Sequence, residues 1–125
     1  MGLYFRWQPH NCKAIDVAAF LRVLLRHLRG HVIVVWDRGR IHRGPAIETV
    51  QQAHPRLHLE ELPAYAPELN PAEQVWNDFK GHTANSLLWD TRDLCRTLRN
   101  NIRRVHRHQE KLRSFILASK LPSPP

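Results

Sequence analysis

The run HVIVVWD, from His31 to Asp37, constrains the fold of this chain more than any other stretch. Its continuous β-branched residues are typical of a strand that is covered on both faces. The run ends on an acidic residue, which the turn-forming pair Arg38 and Gly39 follows. Such a strand is characteristic of α/β folds, so the neighbouring segments are expected to alternate between helix and strand.

The segments on either side of this strand follow that alternation. Apolar residues between about Ala14 and Arg29 recur at helical spacing, and Gly30 is placed to stop the helix. Pro45 to about His54 favours a short helix, and Leu57 to Glu61 favours a second strand. The order of these elements predicts an α/β fold.

Further elements are predicted towards both ends of the chain. Leu3 to Gln8 alternates apolar with polar residues and favours a short first strand. Pro71 to Lys80 favours a helix, and another helix is expected to begin at Asp90. We therefore expect a single domain over residues 1–125 with a helical C-terminal flank, and a frayed tail over residues 119–125.

The helix that follows the proline-rich loop is predicted to have two distinct faces. Val75, Trp76 and Phe79 are expected to form its buried face. Glu73 and Lys80, seven positions apart, are expected to share a face that is directed towards nucleic acid.

The charge of the chain indicates a polyanionic partner. Nineteen Lys and Arg against eleven Asp and Glu give a formal net charge of +8, which is typical of nucleic-acid-binding proteins and also of basic proteins without a specific site. Cys12 and Cys95 lie far apart, so a reducing compartment is expected, and the nine histidines lack the spacing of a zinc site. Because no apolar run is long enough to span a bilayer, a cytoplasmic protein is predicted.

Two acidic residues occupy positions where α/β folds place functional sites. Asp37 ends the central strand, and Glu73 lies in the first turn of a helix beyond the next strand. Two carboxylates in a basic setting suit Mg²⁺ or Mn²⁺ and phosphodiester chemistry. Each residue also has a purely structural interpretation, because Asp37 can form a turn and Glu73 can form a capping box with Asn70.

The motifs around these carboxylates resemble a known family. WDRGRIH, Trp36 to His42, and LPAYAPELNPAEQVW, Leu62 to Trp76, are similar to the paired signatures of DDE transposases of the mariner-like superfamily and its bacterial insertion-sequence relatives. The resemblance implies a ribonuclease H-like fold and a catalytic triad of two aspartates and a glutamate or aspartate that binds two divalent metals. It makes Asp37 the second carboxylate and Glu73 the third, both catalytic and metal-binding, and gives His42 a structural or DNA-facing role.

The chain departs from the family pattern in two ways. Arg38 stands where the family usually has Asn, which adds a positive charge beside a metal ligand. The first catalytic aspartate and the helix-turn-helix region are absent, so we expect a fold truncated at the N-terminus, with its first strands missing and an open edge on the strand that ends at Asp37. An upstream transposase half is the expected partner, and without it the chain is expected to be catalytically incomplete.

The expected substrate is DNA at transposon ends. The residues predicted to contact it are six arginines, one lysine and one histidine: Arg38, Arg40, His42, Arg43, Lys80, Arg103, Arg104 and Arg107. A homodimer and association with the bacterial nucleoid are compatible with this prediction. Two other functions stay open from the sequence, which are a non-catalytic DNA-binding or inhibitory remnant and a decayed product without function.

Overall fold

The first helix, α1, spans Ala14–His27 and ends three residues before Gly30, close to the predicted boundary. The Asp16 carboxylate accepts the Lys13 N–H at 2.9 Å, and chiefly this bond holds the pKa of Asp16 below its usual range. At the other end, the Arg56 guanidinium donates to the carbonyls of Leu28 and Gly30, both at 2.8 Å, and to that of Leu25. One arginine from a distant segment therefore satisfies carbonyls that the end of a helix leaves without partners.

The computed structural model describes residues 2–6, 8–84 and 90–119. After α1 come β1 (Val32–Trp36), α2 (Pro45–Ala53) and β2 (Leu57–Glu61), in agreement with the predicted order. Two short 3₁₀ turns follow the strands, over Arg40–His42 and Pro67–Leu69.

Three helices complete the described part of the chain. They are α3 (Pro71–Ala84), α4 (Thr91–Arg107) and α5 (Gln109–Ala118). Asp90 caps α4, because its carboxylate accepts the Asp93 N–H at 2.8 Å. Within the described residues no helix is long and apolar enough to cross a membrane.

The two strands form a parallel sheet. Val32 pairs with Leu57 and Trp36 pairs with Glu61, so the carboxyl ends of both strands lie at the same edge. The described part of the chain thus combines helices with a small parallel sheet, as the predicted α/β class requires. The ribonuclease H-like fold that the resemblance implies has more strands than these two.

The described residues group into two compact units. The strand unit comprises residues 5–66, and the helical unit comprises residues 67–119 with residues 2–4. The strand unit has an apolar core that α1, α2 and the sheet share, formed by Ala18, Leu21, Leu25, Val32, Trp36, Ile47, Val50 and Leu57. The helical unit buries a smaller set of side chains from α3, α4 and α5.

The prediction that the central strand is covered on both faces is wrong for the described residues. Val32 and Trp36 are buried, but Ile33 is 66% exposed and Val35 is 47% exposed. Because α1 and α2 contribute to one core, they cover one face of β1, and its alternate residues face outwards. An apolar run of this kind is compatible with a second covering layer but does not supply it.

The predicted first strand is also wrong. Residues 3–6 and residue 8 have no strand structure. Alternation of apolar and polar side chains produces a strand only where another strand offers hydrogen-bonding partners, and the described sheet consists of β1 and β2 alone. Of the predicted tail, Ser119 is buried and donates its hydroxyl to the Ile116 carbonyl at 2.6 Å, whereas residues 120–125 lie outside the described residues.

Candidate active site

Asp37 lies at the carboxyl edge of the parallel sheet, immediately after β1. The pairing extends one residue past β2, because the Leu62 N–H donates to the Trp36 carbonyl at 2.7 Å. Asp37 therefore follows a backbone segment that is fixed by hydrogen bonds. In α/β folds this edge is where ligands commonly bind.

One oxygen of the Asp37 carboxylate is held by its neighbours. Oδ1 accepts the Gly39 N–H at 2.9 Å and lies 2.9 Å from Nδ1 of His42. The His42 ring is itself stacked on buried Trp36, with centroids 4.5 Å apart and an interplanar angle of 7°. Nδ1 of His42 also lies 3.0 Å from the main-chain carbonyl oxygen of Asp37, its hydrogen-bond partner, so the imidazole packs on the indole and contacts both the backbone and the carboxylate of Asp37.

The second oxygen of Asp37 is directed away from these contacts. The side chain is 61% exposed, and within the described residues Oδ2 has no hydrogen-bond or ion-pair partner. The turn-forming interpretation of Asp37 is therefore correct for one oxygen, and the other remains available to a ligand.

Gly39 leaves room for this arrangement. A Cβ atom at residue 39 would lie 2.9 Å from Asp37 Oδ1, closer than side chains approach one another in proteins. Any larger residue would displace the carboxylate or the turn. Glycine at residue 39 thus leaves space for the Asp37 carboxylate, and it is not needed for a positive φ angle, since φ is −58°.

The arginines that flank Asp37 contact the end of β2. Arg43 places Nε and Nη2 at 3.2 and 3.3 Å from the two carboxylate oxygens of Glu61. Arg38 donates from Nε to the Leu62 carbonyl at 3.2 Å and lies 3.8 Å from Glu61. Arg38 thus lies near Glu61, which Arg43 also contacts.

Glu73 lies in the first turn of α3, and its carboxylate takes no part in capping that helix. The Asn70 N–H donates to the Pro67 carbonyl at 3.0 Å, and Asn70 Oδ1 accepts the Ala72 N–H at 3.1 Å. The capping-box interpretation of Glu73 is therefore wrong, since the N–H it requires is already engaged. Among the described residues the Glu73 carboxylate has no hydrogen-bonding or ionic partner.

Asp37 and Glu73 both carry carboxylate oxygens of the kind that hard divalent cations prefer. Each offers oxygen atoms without a competing protein cation within 4.0 Å, apart from His42 on one oxygen of Asp37. Asp37 belongs to the strand unit and Glu73 to the helical unit. In residues 2–6, 8–84 and 90–119 no three His, Cys, Asp or Glu side chains are gathered as a metal site.

Comparison with known families identifies the chain. The family model described as "DDE superfamily endonuclease" matches residues 2–95, which include both carboxylates and both signature motifs. The chain belongs to this DDE endonuclease family. No curated protein and no solved structure matches the chain.

Membership of the DDE endonuclease family confirms the resemblance seen in the sequence. It implies DNA as the substrate and divalent metal ions as cofactors, as is general for such nucleases. The match ends at Cys95, so most of α4 and all of α5 lie beyond the family model.

The face of α3 that this DDE endonuclease buries differs from the predicted one. Val75 and Phe79 are buried, but Trp76 is 44% exposed, so the prediction that Trp76 is a core residue is wrong. Residues four apart lie on one face of a helix, whereas Trp76 is turned by about 100° from Val75. Trp76 contacts the edge of the Phe79 ring from the side, at a centroid distance of 6.0 Å.

A charge cluster in the helical unit was not expected from the sequence. Asp78 on α3 receives Nη2 of Arg104 at 2.6 Å from α4 and Nζ of Lys111 at 2.7 Å from α5. Burial raises the pKa of Asp78, but the bonds from Lys111 and Arg104 outweigh it and leave the pKa below its usual range. The cluster joins three helices, and no local pattern could reveal it, because its members are far apart in the sequence.

The remaining basic residues that the sequence assigned to DNA differ in their surroundings. Arg104 is engaged with Asp78, and within the described residues Arg40, Lys80, Arg103 and Arg107 are exposed and have no acidic partner. The structure thus separates a structural arginine from four cations that are open to solvent.

Proposed function

We propose that this chain is the C-terminal portion of the catalytic domain of a DDE transposase, with a ribonuclease H-like fold. Residues 1–125 would form one partial domain that cleaves and transfers DNA strands once an upstream segment supplies the first aspartate. The observation that carries the proposal is the Asp37 carboxylate, which has one oxygen oriented by Gly39 and His42 and the other open at the carboxyl edge of β1.

In this proposal Asp37 and Glu73 are the second and third carboxylates. Mg²⁺ or Mn²⁺ bound as a pair would stabilise the attacking and leaving oxygens of a phosphodiester. His42 acts as a positioning residue, because it fixes Asp37 in one orientation and so reduces the conformational freedom lost when a ligand binds.

The proposed upstream half is supported by one feature of the strand unit. β1 exposes Ile33 and Val35 on one face. A segment that added strands and a covering layer would bury this apolar surface. The same segment would supply the missing carboxylate.

Contacts to DNA are assigned to the free cations and to the arginines near Asp37. Arg40, Lys80, Arg103 and Arg107 have no acidic partner among the described residues, whereas Arg38 and Arg43 would have to exchange Glu61 for phosphate. Binding to transposon ends through these contacts would be tolerant of sequence and strongly dependent on salt.

The test uses the chain joined to an upstream segment that carries a strand and its aspartate. We expect nicking of transposon-end DNA in Mg²⁺ or Mn²⁺, but not in Ca²⁺. Asp37→Asn and Glu73→Gln should each abolish cleavage and leave DNA affinity nearly unchanged, because each swap keeps the shape and removes a metal-binding charge.

Matched controls come from exposed acids in the same units. Glu48→Gln in α2 and Glu68→Gln in the turn before α3 remove the same charge at other exposed positions and should keep full cleavage. Full activity of Glu73→Gln would remove Glu73 from the site, and full activity of Asp37→Asn would overturn the proposal.

A second function is favoured by the exposed cations. In it the chain by itself would bind DNA through Arg40, Lys80, Arg103 and Arg107 without cutting it, as an inhibitory fragment does. Addition of the chain to an active transposase distinguishes the two, since a DNA-binding fragment would lower cleavage in proportion to its occupancy of the DNA. Restoration of cleavage in a mixture with the upstream half would favour the catalytic function.

A further inference from the structure

One face of α4 is lined by arginines along its whole length. These arginines are Arg92, Arg96, Arg99, Arg103 and Arg107. They recur at intervals of four, three, four and four residues. At about 100° per residue these five positions lie within roughly 80° of one another and span about 22 Å of helix axis. We refer to these five residues as the arginine face.

The arginine face is directed to solvent. All five side chains are exposed, while Asn101 and Val105, on the opposite side of the helix, are buried. Arg104, which is adjacent in sequence, is turned towards Asp78 instead. The sequence grouped Arg103, Arg104 and Arg107 as DNA contacts, whereas in the structure Arg103 and Arg107 are exposed and Arg104 bonds to Asp78.

Helix stability does not explain this distribution. Arginines four residues apart repel one another, and a cation in the first turn, such as Arg92, is disfavoured by the helix dipole. Within the described residues one acid, Asp93, lies near the face, 3.9 Å from Arg96. The charge is therefore largely uncompensated within this part of the chain and suits an external polyanion.

The shape of the face suits a row of phosphates. A groove of about 390 Å³ runs between the side chains and is lined by Arg92, Cys95, Arg96, Arg99, Asn100 and Arg103. A membrane surface is a poorer partner, because the apolar side of α4 is used inside the helical unit and is not available to insert among lipids.

We propose that the arginine face of α4 is a binding surface for the phosphate backbone of duplex DNA, mostly outside the range of the family match. The proposal rests on the proposed function for the choice of DNA as the polyanion. It adds Arg92, Arg96 and Arg99 to the DNA contacts and removes Arg104 from them.

The experiment compares two variants of the full chain that lose the same charge. Arg92, Arg96, Arg99 and Arg103 are replaced by Gln in one, and Arg22, Arg26, Arg29 and Arg113 are replaced by Gln in the other. Binding to one duplex DNA is measured over a series of salt concentrations. Because each lost phosphate contact lowers the slope of log K against log salt by about 0.9, the first variant should lose about three to four units of slope, and the second should stay near the parent.

Each outcome decides the proposal. An equal fall in both variants, or in neither, overturns it and leaves the proposed function intact, whereas a parent chain that does not bind DNA refutes the DNA part of both. Tighter binding to duplex RNA of the same length would overturn the choice of DNA. A third variant with Lys at the four α4 positions keeps the charge and should keep the slope, and circular dichroism of the Gln variant shows whether it keeps its helices.

A second measurement needs no substitution. Cys95 lines the groove, and Cys12 is exposed in the strand unit. Saturating duplex DNA should slow alkylation of Cys95 at least severalfold more than that of Cys12. Equal protection of the two thiols would contradict the assignment of DNA to this face.

Discussion

Asp37 at the end of β1 and Asp78 inside the helical unit are both aspartates next to cationic or potentially cationic side chains, but their surroundings differ. The Asp37 side chain is 61% exposed and keeps one oxygen without a partner among the described residues. The Asp78 side chain is 13% exposed, and both of its oxygens are bound, one by Lys111 and one by Arg104.

The difference separates a carboxylate available to ligands from one that stabilises the structure. A buried carboxylate needs its charge neutralised by the protein, and once that is done it has no capacity left for a metal ion. An exposed carboxylate held by one oxygen costs little to maintain and still offers the other. The more conspicuous charge cluster of this chain is thus the structural one.

The largest effect on stability is expected in the core of the helical unit, at Phe79. Phe79→Ala should lower the free energy of unfolding by about 3–5 kcal/mol, since the residue is 1% exposed, whereas Trp76→Ala should cost clearly less, because 44% of that residue is already exposed. Urea denaturation of both variants measures this. Equal losses would place Trp76 in the core after all.

The next prediction compares the two aspartates directly. Asp78→Asn should lower the free energy of unfolding by about 3 kcal/mol, because it leaves Arg104 and Lys111 without a countercharge in a partly buried site. Asp37→Asn, at an exposed position, should change it by about 0.5 kcal/mol or less. The comparison fails if the two variants are equally stable or if their order is reversed.

The contribution of Asp78 should also depend on pH. Since the folded-state pKa is depressed below the ordinary value of 3.8, the unfolded chain takes up a proton first as the pH falls. The stability supplied by Asp78 is therefore present above pH 3.8 and is lost as the pH falls through the folded-state pKa. Unfolding of the parent and of Asp78→Asn, followed from pH 6 downwards, should show a difference that narrows in acid, and a widening difference would contradict the assignment.

The smallest effect is expected at the ion pair beside Asp37. Both Arg43 and Glu61 are about half exposed, so Arg43→Gln should lower the free energy of unfolding by about 1 kcal/mol or less, and less at high salt. Thermal unfolding at low and high salt measures it. A loss as large as that of Asp78→Asn would show that the end of the sheet is held by charge in the same way as the helical unit.

Much of the candidate site was predictable from short stretches of sequence. Asp37 follows a β-branched run that forms β1, and the Asn70-Pro71 pair marks the start of α3 at Pro71, two residues before Glu73. The family signatures cover the same two segments. Local patterns could not predict which carboxylate oxygens have hydrogen-bond or ion-pair partners. Those partners come from turns and from other segments of the chain.

The sequence by itself determined the positions of α1, β1, α2, β2 and the start of α3, because periodicity, β-branching, caps and prolines act over a few residues. Only the tertiary structure decided that Trp76 faces solvent, that Ile33 and Val35 are uncovered, and that Asp78 joins Arg104 and Lys111. Burial and ion pairing depend on which distant segments pack together. Leu3 to Gln8 has the alternating pattern of a strand, but residues 3–6 and residue 8 do not form one. A strand requires a pairing partner, and that partner comes from another segment of the chain.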